Sequence, residues 1–299
     1  MKRCTLLLLT ALFCACSLAN AQEFREIITQ TVTFNNASPD NLLVVEGAVG
    51  GIDVEGYDGD TVRIEAERII RAQTEKDLET GKGQISFQAF KVGRNEVFLD
   101  VFHAPKNPNA IYVYLLSPGS FGDEKTGEFR YGDYSKSKYD YKLNYRIQVP
   151  FNTNLQLRTV VGNISVRGTG GTVKARLMSG AIRLSEVAGP TEAYALGGDI
   201  TVSYRQNPTG ASSYATDGGN ITVTCKADLA ADVTCEASGQ LHTDFTASRP
   251  AAKSKANGAT DKTAVSYQGG VNDSFRIGKG GVAMRLRASN GNISLLKAD

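Results

Sequence analysis

The sequence predicts an all-β fold: a β-solenoid of repeated two-strand units, with one short helix in its N-terminal part. Three observations carry that expectation. The first is a pattern of Gly, any residue, Ile or Leu, any residue, then mostly Val or Leu. It recurs as Gly162-Asn163-Ile164-Ser165-Val166, Gly180-Ala181-Ile182-Arg183-Leu184, Gly198-Asp199-Ile200-Thr201-Val202 and Gly219-Asn220-Ile221-Thr222-Val223, with a weaker copy at Gly239-Gln240-Leu241-His242-Thr243. The second is spacing. Successive glycines at 162, 180, 198, 219 and 239 lie 18, 18, 21 and 20 residues apart, and a period near twenty marks stacked supersecondary units. The third is alternation before and after each glycine, as in Leu155 and Leu157 or Ile164 and Val166, which buries one face of each strand. Outlying copies at Gly50-Gly51-Ile52-Asp53-Val54 and Gly291-Asn292-Ile293-Ser294-Leu295 bracket nearly the whole chain.

Each glycine marks a corner between two half-buried strands, where φ > 0 is cheap only for Gly. Two architectures satisfy this pattern: a meander of two-residue hairpins, and a solenoid that makes one circuit per repeat. Near-constant repeat length and an identical corner favour the solenoid, because stacked units must present the same apolar positions to each other. The corners also suit type I′ hairpins poorly. Val161-Gly162, Ser179-Gly180 and Gly218-Gly219 are not Asn-Gly or Asp-Gly, and only Asn290-Gly291 is.

Taken in order, Lys2 and Arg3, an apolar run from Thr5 to Cys16 and Ala19-Asn20-Ala21 predict a secretory signal peptide over residues 1–21. The run is shorter than the roughly 20 apolar residues of a membrane span. A lipoprotein signal is the alternative, with Cys14 or Cys16 as the modified residue, although Ala11-Leu12-Phe13 is not the usual lead-in. Without residues 1–21, which hold two of the 33 basic side chains and none of the 31 acidic ones, the chain is neutral. That balance argues against nucleic-acid or polybasic membrane partners. No second apolar span follows.

The chain then divides into an N-terminal β-rich region over 22–150 and repeats over 151–299 with an insertion at 248–272. Alternation predicts strands in residues 27–34, 42–45, 52–54 and 61–69. Thr74-Glu75-Lys76-Asp77 opens a helix expected to stop at Gly81. A hairpin of residues 84–92 with 96–103 and a strand over 111–115 follow. Residues 117–143 are rich in Gly, Lys, Asp and Ser, with Tyr131, Tyr134, Tyr139 and Tyr141 spaced through them. They read either as an exposed binding segment, since Tyr gives rigid amphipathic area, or as a strand pair continuous with residues 145–149.

Chemistry is sparse. Only His103 and His242 are present, so His clusters and His-based triads have little to work with. Ser179-Gly180 and Ser238-Gly239 are corners, not a nucleophile elbow, and no glycine-rich run leads into a helix to cradle phosphate. Asp53, Asp58, Asp60, Asp199 and Asp217 sit near glycine turns, where Asp is favoured for local backbone bonds; no calcium nonapeptide pattern accompanies them. Catalytic, cofactor-binding and metal residues are therefore expected to be none. Cys225 and Cys235 are expected to point inward, either as a disulfide or as two buried thiols.

Tyr145-Arg146-Ile147-Gln148-Val149-Pro150, the copies at Gly162, Gly180, Gly198 and Gly219, and the closing Ala288 to Leu295 resemble the "putative adhesin" family of exported bacterial β-strand-repeat proteins. The resemblance covers most of residues 41–299. It implies a right-handed β-helix-like fold, no catalysis and a place at the cell envelope or surface, and it transfers no functional residues. The expected function is non-enzymatic binding of a protein or glycan in the periplasm, at the outer surface or outside the cell. A periplasmic accessory of envelope-stress signalling, and a glycan-cleaving β-helix enzyme, are the alternatives. Mass spectrometry of the exported protein is expected to find its N-terminus at Gln22. A diacylglycerol on Cys14 or Cys16 would replace that reading with a lipoprotein.

Overall fold

The computed structural model describes residues 21–91, 107, 109–117, 121–122, 129–130, 137–248, 266–267 and 270–298. Two eleven-stranded sheets face one hydrophobic core. Each is a run of parallel strands closed at both ends by antiparallel ones. From residue 154 to 225 the chain passes alternately between the sheets, one strand in each per repeat. Each such pair is here termed a tier. Asn154–Val161, Val173–Ser179, Thr191–Gly197 and Ser212–Gly218 lie side by side in one sheet, called sheet II. Ile164–Arg167, Ile182–Val187, Ile200–Tyr204 and Ile221–Cys225 do so in the other, sheet I.

Register excludes the hairpin arrangement of these strands. Leu177 pairs in parallel with Thr159 and Ala195, and Ile182 with Ile164 and Ile200. A hairpin across Gly180 would have paired Leu177 with Ile182. Instead the period-2 pattern aligns equivalent residues of successive tiers. Ile52, Ile164, Ile182, Ile200, Ile221 and Ile293 form one unbroken interior ladder, none more than 1% exposed.

The glycine corner has a stricter cause than turn geometry alone. A Cβ on Gly162 would stand 2.0 Å from the carbonyl oxygen of Gly50, on Gly180 2.1 Å from that of Gly162, and on Gly198 1.7 Å from that of Gly180. Gly219 and Gly291 continue the column at 2.2 and 1.8 Å. Gly50, Gly162, Gly180 and Gly198 also have φ between 135° and 142°, as the corner reading expects, whereas Gly219, Gly239 and Gly291 do not. Close backbone approach, not φ, is what all the corners share.

Beside this column runs a ladder of side-chain carbonyls. The Gly51 N–H donates to Asn144 Oδ1 (3.0 Å), Ala181 N–H to Asn163 Oδ1 (2.9 Å) and Asn220 N–H to Asp199 Oδ1 (2.7 Å). Asn292 N–H donates to Asn220 Oδ1 (3.0 Å) and Gln240 N–H to Asn292 Oδ1 (2.8 Å). Asp and Asn after the glycine therefore bond the next tier, not their own turn.

Spatial order departs from chain order. The last tier, Val282–Ala288 with Ile293–Lys297, does not stack after Ala231–Ala237 and Leu241–Thr243 but inserts between them and the preceding tier. The chain reaches the slot through Val271–Ile277, which pairs antiparallel with Ala231–Ala237 on its far side, and the turn Gly278-Lys279-Gly280-Gly281. Gly278 and Gly280 adopt φ of 58° and 72°, and Asp232 binds both Arg276 Nε (2.7 Å) and the Gly281 N–H (3.2 Å). The strand thus begins inside the stretch read as an insertion, 248–272: Val271 is buried, as are Phe275 and Ile277 beyond it.

At the other end, Leu42–Glu46 with Ile52–Tyr57 stacks on the first regular tier, and Ala110–Leu116 with Tyr139–Pro150 stacks beyond it, all in parallel. Thr61–Ala72, Gln22–Thr33 and Ser86–Lys91 cap this end antiparallel. Ser86–Lys91 pairs with Ala110–Leu116; residues 92–106, expected to supply its hairpin partner, lie outside the described residues. The helix spans Glu75–Gln84, capped by Thr74, whose side chain accepts from Asp77 N–H at 3.1 Å. It runs past Gly81, the expected stop. Gly81 is a contact residue there: a Cβ would lie 2.7 Å from Ile70 Cγ2 and 2.9 Å from the Tyr139 ring.

Ile182→Ala is expected to cost about 2–5 kcal/mol in denaturant unfolding. Gly180→Ala, which removes no apolar group, is expected to cost at least as much as the smaller of those values, because it combines strained φ with a backbone clash. A Gly180→Ala protein as stable as the parent would refute the close-stacking account.

Candidate functional groove

The repeats have a second corner, where the chain leaves sheet I for sheet II, and it too is stacked backbone on backbone. A Cβ on Gly171 would lie 2.3 Å from the carbonyl oxygen of Thr153, and one on Gly189 2.3 Å from that of Gly171. The Phe151 N–H donates to Tyr57 O (3.0 Å), Gly170 N–H to Phe151 O (2.8 Å) and Ala188 N–H to Thr169 O (2.9 Å). The sequence carries this corner as Gly170-Gly171, Gly189-Pro190 and Gly210, spaced like the first corner but without its Gly-x-Ile pattern.

Along this second corner runs a groove of about 960 Å³. Its floor is the corners that lead into five neighbouring strands, those beginning at Leu42, Asn154, Val173, Thr191 and Ser212. Its walls are the 34–39 loop and the Tyr57-Asp58-Gly59-Asp60 turn. Tyr57 is fixed from both sides. Its hydroxyl donates to Thr61 O (2.7 Å), and its ring lies where a Cβ on Gly59 would come within 2.1 Å. Phe151 is placed the same way by Gly170, 2.4 Å from a would-be Cβ, and carries the Arg205 guanidinium 4.9 Å above its ring from the neighbouring hollow.

The groove is polar without being basic. Among the described residues Asp58 and Asp60 line it and no Lys, Arg or His does. Asn154 is spent on structure, donating to Pro39 O (2.7 Å) and accepting from Thr172 N–H (2.9 Å). Asn41 is half spent: its amide donates to Asn36 O (3.0 Å), while its buried Oδ1 has no protein partner, nor has the buried Thr153 hydroxyl. Sheet I carries a second hollow of about 720 Å³ on its outer face, where Arg63, Arg146 and Arg167 stand among Asp53, Glu55 and Glu65. Arg146 pairs with Glu65 at 3.2 Å and Arg167 with Glu186 at 3.6 Å; such exposed pairs leave little unbalanced charge to recruit a ligand.

Of the tyrosines expected from sequence to form a binding segment, the structure describes two. Tyr131 and Tyr134, like His103, lie outside the described residues. Tyr139 and Tyr141 are not surface residues: they are the first inward positions of Tyr139–Pro150, 6% and 8% exposed, and Tyr139 donates to Gln84 Oε1 at 2.7 Å. Alternation continuous with residues 145–149, the other reading of that stretch, is what buries them. His242 is exposed beside Asp244 (3.1 Å). Among the described residues no three His, Cys, Asp or Glu side chains gather closely enough to hold a metal ion, and no helix is long and apolar enough to cross a membrane.

Cys225 and Cys235 are both buried, and both are free thiols. The inserted last tier explains why the disulfide does not form. Cys225 pairs with Lys297 of that tier from one side and Cys235 with Leu286 from the other, in different sheets. Two strand spacings of about 4.8 Å each already exceed the roughly 7 Å between Cα atoms that a disulfide spans.

No known family model matches the chain, and no curated protein does. Among solved structures it is similar to a "putative cell adhesion protein" from Clostridium sporogenes, at 11% identity and a TM-score of 0.39, over 93% of this chain and 100% of that one. It is also similar to a "putative adhesin" from Parabacteroides distasonis, at 11% identity and a TM-score of 0.20, over 90% and 97%. Likeness of this degree assigns no function to the present chain.

Burial pushes both thiols up to about 12 from 9.0. The native protein is therefore expected to resist iodoacetamide at pH 8 and to take up two labels when unfolded. Because the folded state keeps protons that the unfolded state releases above pH 9, stability is expected to fall as pH rises from 9.0 to about 12. Each thiol contributes up to about 1.4 kcal/mol per pH unit there. A Cys225→Ala, Cys235→Ala protein with the same alkaline slope would exclude the thiols as its source.

Proposed function

We propose that this is a non-enzymatic, exported bacterial envelope or cell-surface protein, adhesin-like, that binds another macromolecule along a right-handed β-solenoid. The observation that carries the reading is the groove. It crosses five neighbouring strands' corners on a backbone locked tier to tier, and it offers polar groups that the fold itself does not use. Repeat proteins present extended, rigid surfaces of this kind to partners, and binding loses least entropy when the groups are already in place. The solenoid reading is supported by the alternation of the chain between two parallel sheets that share one core. Export is supported by the charged start, apolar run and Ala19-Asn20-Ala21 of the sequence.

The non-enzymatic part rests on the condition of the nucleophiles. Both thiols are buried and held protonated, so neither serves as an attacking thiolate near neutral pH. The exposed His242 ring makes its side-chain hydrogen bond to Asp244, and among the described residues no hydrogen bond joins it to a nucleophile.

Immobilised mature chain is expected to retain macromolecules from envelope or host-surface extracts. Thr209→Trp, which fills the groove from an exposed position, is expected to release them. On intact cells a surface protein is expected to be cleaved by added protease. Protection until the outer membrane is opened would move the protein to the periplasm, and product release from any polysaccharide by the purified chain would end the non-enzymatic reading.

A further inference from the structure

We propose that the groove at the second corner is a subsite for an uncharged oligosaccharide, an inference that rests on the binding-protein reading and names its ligand. The lining decides against anions first. Among the described residues its only charged side chains are Asp58 and Asp60, so phosphate, sulfate and uronate would meet like charge with no cation in the lining to answer it. The guanidiniums beside it are already engaged from adjoining hollows, Arg205 over the Phe151 ring and Arg63 over the Tyr57 ring.

Against an extended peptide stands the state of the backbone. Peptides commonly dock by adding a strand to an open edge. Here the corner N–H and C=O groups are taken up between tiers: Phe151 N–H to Tyr57 O, Gly170 N–H to Phe151 O, Leu155 N–H to Thr172 O (2.8 Å) and Val173 N–H to Pro190 O (3.0 Å). The groups left over are side chains. The Asn152 and Gln206 amides are exposed and make no side-chain hydrogen bond within the protein, and each offers a donor and an acceptor side by side. That is the arrangement that pairs with vicinal hydroxyls. Asp58 and Asp60 add acceptors for hydroxyl hydrogens, and the buried Asn41 carbonyl and Thr153 hydroxyl at the floor still lack a partner.

Apolar surface for the C–H faces of sugar rings comes from Tyr57 and Phe151, both held in place by glycines that leave room for the ring. The dimension agrees as well. Five corners span four strand spacings, about 19 Å at about 4.8 Å each, which accommodates a short run of sugar rings. A volume of about 960 Å³ is also at the upper end of ligand clefts.

The test is titration calorimetry of the purified mature chain with uncharged tetrasaccharides of glucose, N-acetylglucosamine, mannose and galactose, and with tetragalacturonate as the charged control. At least one uncharged probe is expected to bind. Asn152→Ala and Gln206→Ala are each expected to weaken it by about tenfold, the loss of a typical hydrogen bond to an exposed ligand group. Thr209→Trp is expected to abolish it. Arg183→Ala, on the outer face of sheet I, leaves it unchanged, and thermal melts of all four variants report whether the fold persists. Binding of tetragalacturonate alone, or binding insensitive to the groove substitutions in folded variants, overturns the inference. If no probe binds while Thr209→Trp still abolishes capture of extract material, the occupant is another class of macromolecule and only the oligosaccharide assignment falls. If neither probe nor extract distinguishes Thr209→Trp from the parent, the binding-protein reading falls with it.

Discussion

Backbone lies on backbone at the corners, and the rest of the molecule follows from that contact. With the carbonyl of Gly180 only 1.7 Å from where a Cβ of Gly198 would stand, no other residue fits between tiers at strand spacing. Once the corners stack, equivalent residues fall into register, because a slip of one position would turn every inward side chain outward. The ladder of Asn and Asp carbonyls then satisfies N–H groups that lie beside the corner, where the regular strand pattern lapses.

Within this register the core is filled by complementary sizes. Where sheet II supplies only Ala175 and Ala193, the next tier supplies Tyr214, and its hydroxyl joins those of Tyr204, Thr191 and Ser212 in one buried network. Four hydroxyls that answer one another remove the penalty each would carry alone in an apolar interior. Burial pushes the Tyr204 and Tyr214 phenols above the ordinary tyrosine range, which keeps both protonated and available to donate. Open ends of such a stack would expose strand edges that invite pairing with other chains. Antiparallel strands occupy those positions at both ends, and Gln30 bridges the two edges at one of them through Ala89, at 2.9 and 3.3 Å.

Insertion of the final tier makes the stack depend on contacts that are distant in sequence. Asn292 bonds Asn220 across 72 residues, and Arg287 and Ser289 both bind Asp217, which also accepts from Tyr194 at 3.0 Å. Contacts of that separation close late, after local ones have formed. The same insertion parts the two cysteines and leaves them as buried hydrophobes, so a topological feature decides the redox character of the chain.

How far the sequence alone carries is visible residue by residue. The inward ladder from Ile52 to Ile293, the corner glycines and the Thr74 cap were legible because they arise from local periodicity and turn chemistry, which a linear pattern records. Other features are not local. Gly81 inside the helix answers to Ile70 and Tyr139, the burial of Tyr139 and Tyr141 follows from pairing with Thr61–Ala72, and the last repeat sits out of order. The groove belongs to this second class: its floor is five corners and its walls are two loops from the first sixty residues. Periodicity states which side of a strand faces inward, but which strands become neighbours is set by the packing of the whole chain, and a site made from neighbours appears only with it.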